Sequence, residues 1–177
     1  ATLSGEGPPD FVEHCLEVSA QMLRLAGRAS DLVGARSLAQ AALADGSALR
    51  KFRALVEAQG GDPRYVDEPE RLPAAQLVEQ FRAPSAGYLR SIHAAEIGHA
   101  AVELGAGRSK QGDPIDHSVG VVVHRKVGDR VVEGDPLFSV HANDSTLMQS
   151  AIERVRGAHQ ISAHPVDPLP LFYGVIE

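Results

Sequence analysis

The chain has 177 residues, enough for one or two domains with a buried core. Its hydrophobic share of 44% and charged share of 23% are ordinary for a globular protein, and a formal charge of −6 argues against a general nucleic-acid binder, which presents a basic face. No run approaches the ~18 apolar residues of a membrane-spanning helix, so neither nucleic acid nor membrane is an expected partner.

The chain opens on Ala1 without a methionine, which points to a fragment, and no basic stretch followed by an apolar one marks a secretory signal. A single cysteine, Cys15, allows no internal disulfide and suits a reducing cytoplasm, the expected location. After a Gly/Pro-rich entry, Asp10 with Glu13 three residues on has the form of a capping box. Phe11, Cys15, Val18, Met22 and Leu25 then recur at helical spacing up to Gly27. Cys15 on that apolar stripe is expected to be a buried structural thiol rather than a nucleophile. Ser30 or Asp31 is expected to cap a second helix with the stripe Ala35, Leu38, Ala39, Ala42 and Leu43, stopped by Asp45-Gly46. Ser47 is expected to cap a third, carrying Leu49, Phe52 and Val56 and ending at Gly60-Gly61.

Residues 61–73 change to Asp, Glu, Arg and Pro, which reads as a loop and as the domain boundary, with one domain at 1–71 and a second at 72–177. Residues 77–82 and 88–92 read as short strands around the turn Pro84-Ser85-Ala86-Gly87. Ile97, Ala100, Ala101 and Leu104 mark a short amphipathic helix. The stretch 104–142 holds a glycine-rich turn, an apolar run at 119–123, and turns at Gly128-Asp129 and Gly134-Asp135 followed by β-branched or apolar residues. The order Gly-X at Gly134-Asp135 is compatible with a hairpin, although Pro136 limits pairing there. Asp144 or Ser145 is expected to cap a last helix with Leu147, Ala151 and Val155 on its apolar side. The tail from His164 carries three prolines and ends in apolar Leu171-Phe172-Tyr173, expected to pack on the body. Neither an internal repeat nor a low-complexity segment is visible. The fold class expected is α+β, with helices first and a β-rich module with short helices after.

Chemical constellations are sparse. Eight histidines invite a metal site, yet His93 and His99 are six apart, and His14 and Cys15 are adjacent, so neither pair has ligand spacing. Asp113, Asp116 and His117 form a conceivable acid/base set; turn and strand-end roles are favoured for them, with Asp116 paired to Arg108 or Arg125. The run from Gly105 to Lys110 lacks the spacing of a phosphate loop and the third glycine of a dinucleotide fingerprint. No G-x-S-x-G elbow occurs. The pattern V-G-D-R-V-V-E-G-D-P-L is also found in biotinyl and lipoyl carrier modules, but Lys110 and Lys126 both precede it and no lysine occupies the carrier position downstream.

Several of these elements together resemble a known family. Ala106-Gly107-Arg108, Asp113 to Asp116 with Val119-Gly120, Val127 to Val131, Gly134 to Leu137 and His141-Ala142 follow in order the pattern of the C-terminal module of thymidine and pyrimidine-nucleoside phosphorylases. The resemblance continues more weakly over the whole chain, including Gly5 to Phe11 and Ala58 to Asp62. It implies a hammerhead-like β-module preceded by the helical end of a large α/β domain. It also implies a parent enzyme, expected to be a homodimer, that cleaves pyrimidine nucleosides with inorganic phosphate to free base and pentose 1-phosphate. In that family phosphate is held by K-H-S-T-G-G-V-G-D and the base by an arginine, a serine and a lysine. None of these motifs is in this chain, so no catalytic, cofactor-binding or metal residue is assigned. Phosphate would be a co-substrate of the parent only, and any cation site would lie upstream. The expected role is structural, with the remainder of the parent as partner; a carrier or stand-alone binding module is the alternative.

Overall fold

The computed structural model describes residues 1–176, which separate into two compact units, Ala1–Arg71 with residues 171–176, and Leu72–Pro170. The first unit holds a 3-10 turn at Thr2–Ser4, helices α1 (Pro9–Leu25), α2 (Leu32–Ala44), α3 (Ser47–Ala58) and α4 (Arg64–Asp67), and a 3-10 turn at Pro69–Arg71. The second holds strands β1 (Leu77–Arg82), β2 (Gly87–Ile92), β3 (Gly120–Val123), β4 (Arg130–Val131), β5 (Pro136–Ala142) and β6 (His159–Ser162), with helices α5 (Ala94–Ala101) and α6 (Ser145–Ala158). The chain is thus of mixed helix and sheet, the coarse α+β class its pattern predicts.

In the first unit α1 starts two residues earlier than a cap at Asp10 would place it. Pro9 takes the first helical position, where its missing N–H costs nothing and its fixed φ suits the turn, and Asp10 falls in the first turn, where a negative charge suits the helix dipole. Asp31 does cap α2, accepting from Gly34 N at 2.7 Å. Ser47 does not cap α3: Gly46, at φ 72°, holds the cap position, and the Asp45 carboxylate accepts from Ser47 N at 2.7 Å. Helices α1 and α2 meet through Leu16, Ala20 and Ala35, all buried, and through Arg36, which pairs with Glu13 at 2.5 Å. The predicted α1 stripe is largely uncovered: Phe11, Val18, Met22 and Leu25 are exposed, and Cys15 is half-buried rather than buried. Helical periodicity locates an apolar side, but not what covers it.

The second unit is built on two antiparallel three-stranded sheets, ordered β1-β5-β3 and β4-β2-β6. Consecutive strands change sheets, so β1 and β2 are not partners, and neither are β4 and β5. The hairpin expected at Gly134-Asp135 therefore does not form. That turn gives its backbone to Ala83 instead: Gly134 N donates to Ala83 O at 2.9 Å, and Ala83 N to Asp135 O at 2.8 Å. Pro136, with no N–H, could not have continued a ladder back along β4. Gly128-Asp129 treats Leu89 the same way, Gly128 N donating to Leu89 O at 2.8 Å and Leu89 N to Asp129 O at 2.9 Å.

The core gathers on β5, where Leu137, Phe138 and Val140 are almost fully buried, and on α6, whose inward side is Met148, Ala151, Ile152, Val155 and Ala158. Each such large side chain stabilises the fold by about 1.5–3 kcal/mol. Asp144 caps α6 by accepting from Thr146 N and Leu147 N at 2.8 and 2.9 Å. Leu147, predicted to face inward, is exposed because the core-facing arc centres one residue later. Phe138 stacks between Phe81 at 5.1 Å and His159 at 5.2 Å. Arg154 joins α5 to α6, bonding Glu96 and Glu103 at 2.7 Å each. Strand β6 has no clear sequence signal, since His159-Gln160-Ile161-Ser162 alternates weakly; pairing with β2 makes it a strand. The tail follows expectation only in part: Pro168 lies against Gly128 and Phe172 stacks on His14 at 5.5 Å, but Tyr173 and Val175 are exposed.

Gly87 is where β2 passes β6 most closely: a Cβ there would come within 2.6 Å of Ser162 O. Gly87→Ala should lower stability by about 1–3 kcal/mol through overpacking. Gly98→Ala on α5, where an added Cβ meets nothing within 4 Å, should be neutral or raise stability by about 0.5–1 kcal/mol. Urea melts of the two variants check the contrast; equal effects would contradict it.

Candidate functional site

Asp113, Asp116 and His117 lie in the segment that leaves α5. After Ala101 the helix widens into a π-turn (Val102–Ala106), buries Leu104, and is broken at Gly105, whose φ of 104° only glycine adopts readily. Asp116 N donates back to Gly105 O at 2.9 Å and closes the loop. Within it Lys110-Gln111-Gly112-Asp113 is a tight turn, with Gly112 at φ 94° and the Asp113 carboxylate accepting from Lys110 N at 2.8 Å. Arg108 Nε donates to the Asp113 carbonyl at 3.2 Å.

Asp116 pairs with neither arginine proposed for it. Its Oδ1 accepts from Ser118 N at 2.9 Å and from Ser118 Oγ at 2.6 Å, and its Oδ2 accepts from Asn143 Nδ2 at 2.7 Å. Asn143 Oδ1 in turn accepts from Gln76 N at 2.8 Å, so one side chain joins the entry to β1, the exit of β5 and the loop before β3. Ser118 hydrogen bonds, with Asn143 behind them, hold the Asp116 carboxyl below the usual carboxylate range. A general acid at neutral pH needs the opposite shift. His117 is exposed, and of the groups that lower the Asp116 carboxyl it contributes least. Asp116, Ser118 and Asn143 form a hydrogen-bonded clasp.

Two histidine arrangements escape the sequence. His124 Nε2 lies 2.7 Å from Ser139 Oγ, but Ser139 is only 6% exposed, which withholds it from any external electrophile. His159 Nδ1 donates to Val155 O at 2.7 Å, while its Nε2 is buried without a partner. Burial pushes the His159 imidazole below its ordinary value, against the smaller effect of that hydrogen bond. Neither pair carries a motif: His124 meets Ser139 through the pairing of β3 with β5, and His159 meets Val155 at the C-terminal end of α6. Among the described residues no three His, Cys, Asp or Glu side chains converge as a metal site, and no helix is long and apolar enough to cross a membrane.

At the end of β5, where a carrier module would present a lysine, stand Asn143 and Asp144, both engaged in hydrogen bonds. An open apolar concavity of about 640 Å³ is lined by residues of α1 and α2, among them Phe11, Cys15, Met22 and Leu38, together with Leu3.

Replacing Asn143 by Ala removes a donor from Asp116, so the Asp116 pKa, followed by carboxyl NMR, should rise toward the ordinary value. Because the folded value of Asp116 is depressed, its contribution holds above the ordinary aspartate range and is lost as pH falls through the folded value. His159 has the same sign. Its neutral folded form binds fewer protons than the unfolded chain, so stability falls as pH drops below the ordinary histidine range, near 6.5. Denaturant melts of His159→Phe should show a shallower decline there than the unsubstituted chain; an unchanged slope would contradict the assignment.

Residues 88–162, from β2 through β6, match the family described as pyrimidine nucleoside phosphorylase C-terminal domain. Over 178 residues, 99% of its length, the chain is 42% identical to the pyrimidine-nucleoside phosphorylase of Geobacillus stearothermophilus, covering 40% of that protein. It is 38% identical over 176 residues to the pyrimidine-nucleoside phosphorylase of Staphylococcus aureus strain MSSA476, again 99% of this chain and 40% of the other. The chain therefore spans about two fifths of the curated relatives it matches, 40% in both cases. By this agreement residues 88–162 are similar to the pyrimidine nucleoside phosphorylase C-terminal domain, and nearly the full length of the chain is similar to about two fifths of those enzymes.

Proposed function

We propose that this chain is the C-terminal structural part of a pyrimidine-nucleoside phosphorylase, a pentosyltransferase that uses inorganic phosphate to cleave thymidine, uridine or deoxyuridine to free base and pentose 1-phosphate. The observation that carries the reading is that likeness to these enzymes runs through 99% of the chain yet spans 40% of theirs. Residues 1–71 are then the helical end of a large α/β domain, and residues 72–177 are a hammerhead-like module that braces it. Phosphate, nucleoside and any cation are bound by residues outside this chain, in a cytoplasmic homodimer.

The chemistry here supports a bracing role. Its most polar cluster, Asp116-Ser118-Asn143, is satisfied internally, and its Ser-His contact is shielded by the core. Phosphorolysis must align phosphate with the sugar carbon, and a stiff module on a closing domain helps to hold that geometry. The tight turns at Gly128 and Gly134 and the buried β5 suit such a body.

Incubated with thymidine and phosphate, the purified 177-residue chain should release no thymine by chromatography; the same holds for uracil from uridine. Release of either base above a no-protein control would overturn the proposal that this part lacks the reactive groups.

A further inference from the structure

Helix α1 carries two apolar sides. Phe11, Cys15 and Met22 line the concavity shared with α2, whereas Val18 and Leu25 fall outside it. His14, Val18, Gln21 and Leu25 follow one another three or four residues apart, which sets them along a single side of the helix. This second side is 82% exposed at Leu25 and faces an open gap of about 910 Å³, whose opposite wall is the tail from Phe172 to Ile176. The tail is apolar and just as uncovered: Val175 is 71% exposed and Ile176 fully so. Gap and tail both belong to the first unit. One contact joins the two walls, the near-parallel stack of Phe172 on His14 at 5.5 Å. Two polar groups of the gap answer each other and leave closure unopposed, Gln21 Nε2 donating to Glu17 Oε1 at 3.0 Å.

We propose that residues 173–176 are a strap that closes onto the outer side of α1, turning at Gly174 and guided by the Phe172–His14 stack, so that Val175 and Ile176 seat against Val18 and Leu25. Gly174 stands at φ 151° with nothing within 4 Å of an added Cβ, so the backbone turns there without a clash. The reach is sufficient. Four extended residues span about 13–14 Å, and Leu25 lies about 16 Å along the helix from His14, a difference that one side chain bridges. Burying four large apolar side chains and ordering four residues of backbone are of similar size and opposite sign. Open and closed positions therefore both hold a substantial population. Among the described residues the first unit fully buries Leu16, Ala20 and Ala35, so α1 gains much of its support when the strap closes. The strap is a property of this chain's own residues and does not depend on the phosphorylase reading.

Methyl NMR of the full 177-residue chain tests this directly. Cross-relaxation is expected between the methyls of Val175 or Ile176 and those of Val18 or Leu25, which stand apart across the gap in the open position. Val175→Lys should abolish it and speed amide exchange along α1 by about twofold or more, the change set by losing a closed state as populated as the open one. Exchange in α6 should stay as it was. Val175→Ile should keep both the methyl contacts and the slower exchange. Val175 is exposed in the open position, so its replacement removes no packing there, and Val132→Lys, exposed in the second unit, should change nothing. Absence of the methyl contacts in the unsubstituted chain, or α1 exchange that Val175→Lys leaves unchanged, overturns the strap. Contacts found only between differently labelled chains overturn it in favour of a second copy as the occupant.

Discussion

Two backbone clasps hold the second unit together. Ala83 exchanges paired hydrogen bonds with Gly134 and Asp135, and Leu89 does the same with Gly128 and Asp129. Ala83 and Leu89 are both buried, so their N–H and C=O groups need protein partners. Each clasp requires a glycine at positive φ, 94° at Gly128 and 88° at Gly134, followed by an aspartate that accepts from the residue three before it. Lys126 N donates to Asp129 and Val132 N to Asp135, which gives both turns the same closure. The changes of sheet from β3 to β4 and from β4 to β5 occur at these clasps.

Much of this was legible residue by residue. Helical periodicity located α1, α2, α3, α5 and α6, and β-branched runs bounded by turn residues located β1, β2 and β3. The turns Gly128-Asp129 and Gly134-Asp135 were visible as turns but not as clasps, because the partner residues lie about 40–50 positions upstream and local chemistry cannot name them. Strand β6 was invisible for the same reason: its sequence is weakly alternating, and β2 supplies the pairing. The cap of α1 lies at Pro8, two residues before the Asp10 that the sequence suggests, and that of α3 at Gly46, one residue before Ser47.

The candidate site divides in the same way. The turn character of Asp113 was readable from Gly112 before it and Pro114 after it. The true partners of Asp116, Ser118 beside it and Asn143 far along the chain, were not, and two arginines looked equally suitable on charge alone. His124 with Ser139, and His159 beneath Phe138, have no local signature at all. Family likeness was legible because its elements are turns and strand starts in fixed order, the features that backbone geometry constrains most tightly.

Stability is divided unequally: the second unit has its own core, and the helical first unit leaves most of its apolar side uncovered. Native-state hydrogen exchange of the isolated chain, resolved by peptide, tests this most directly. The account predicts strong protection in β2, β5 and α6 and weak protection throughout α1, α2 and α3. Equal protection of the helices and the sheets would contradict it.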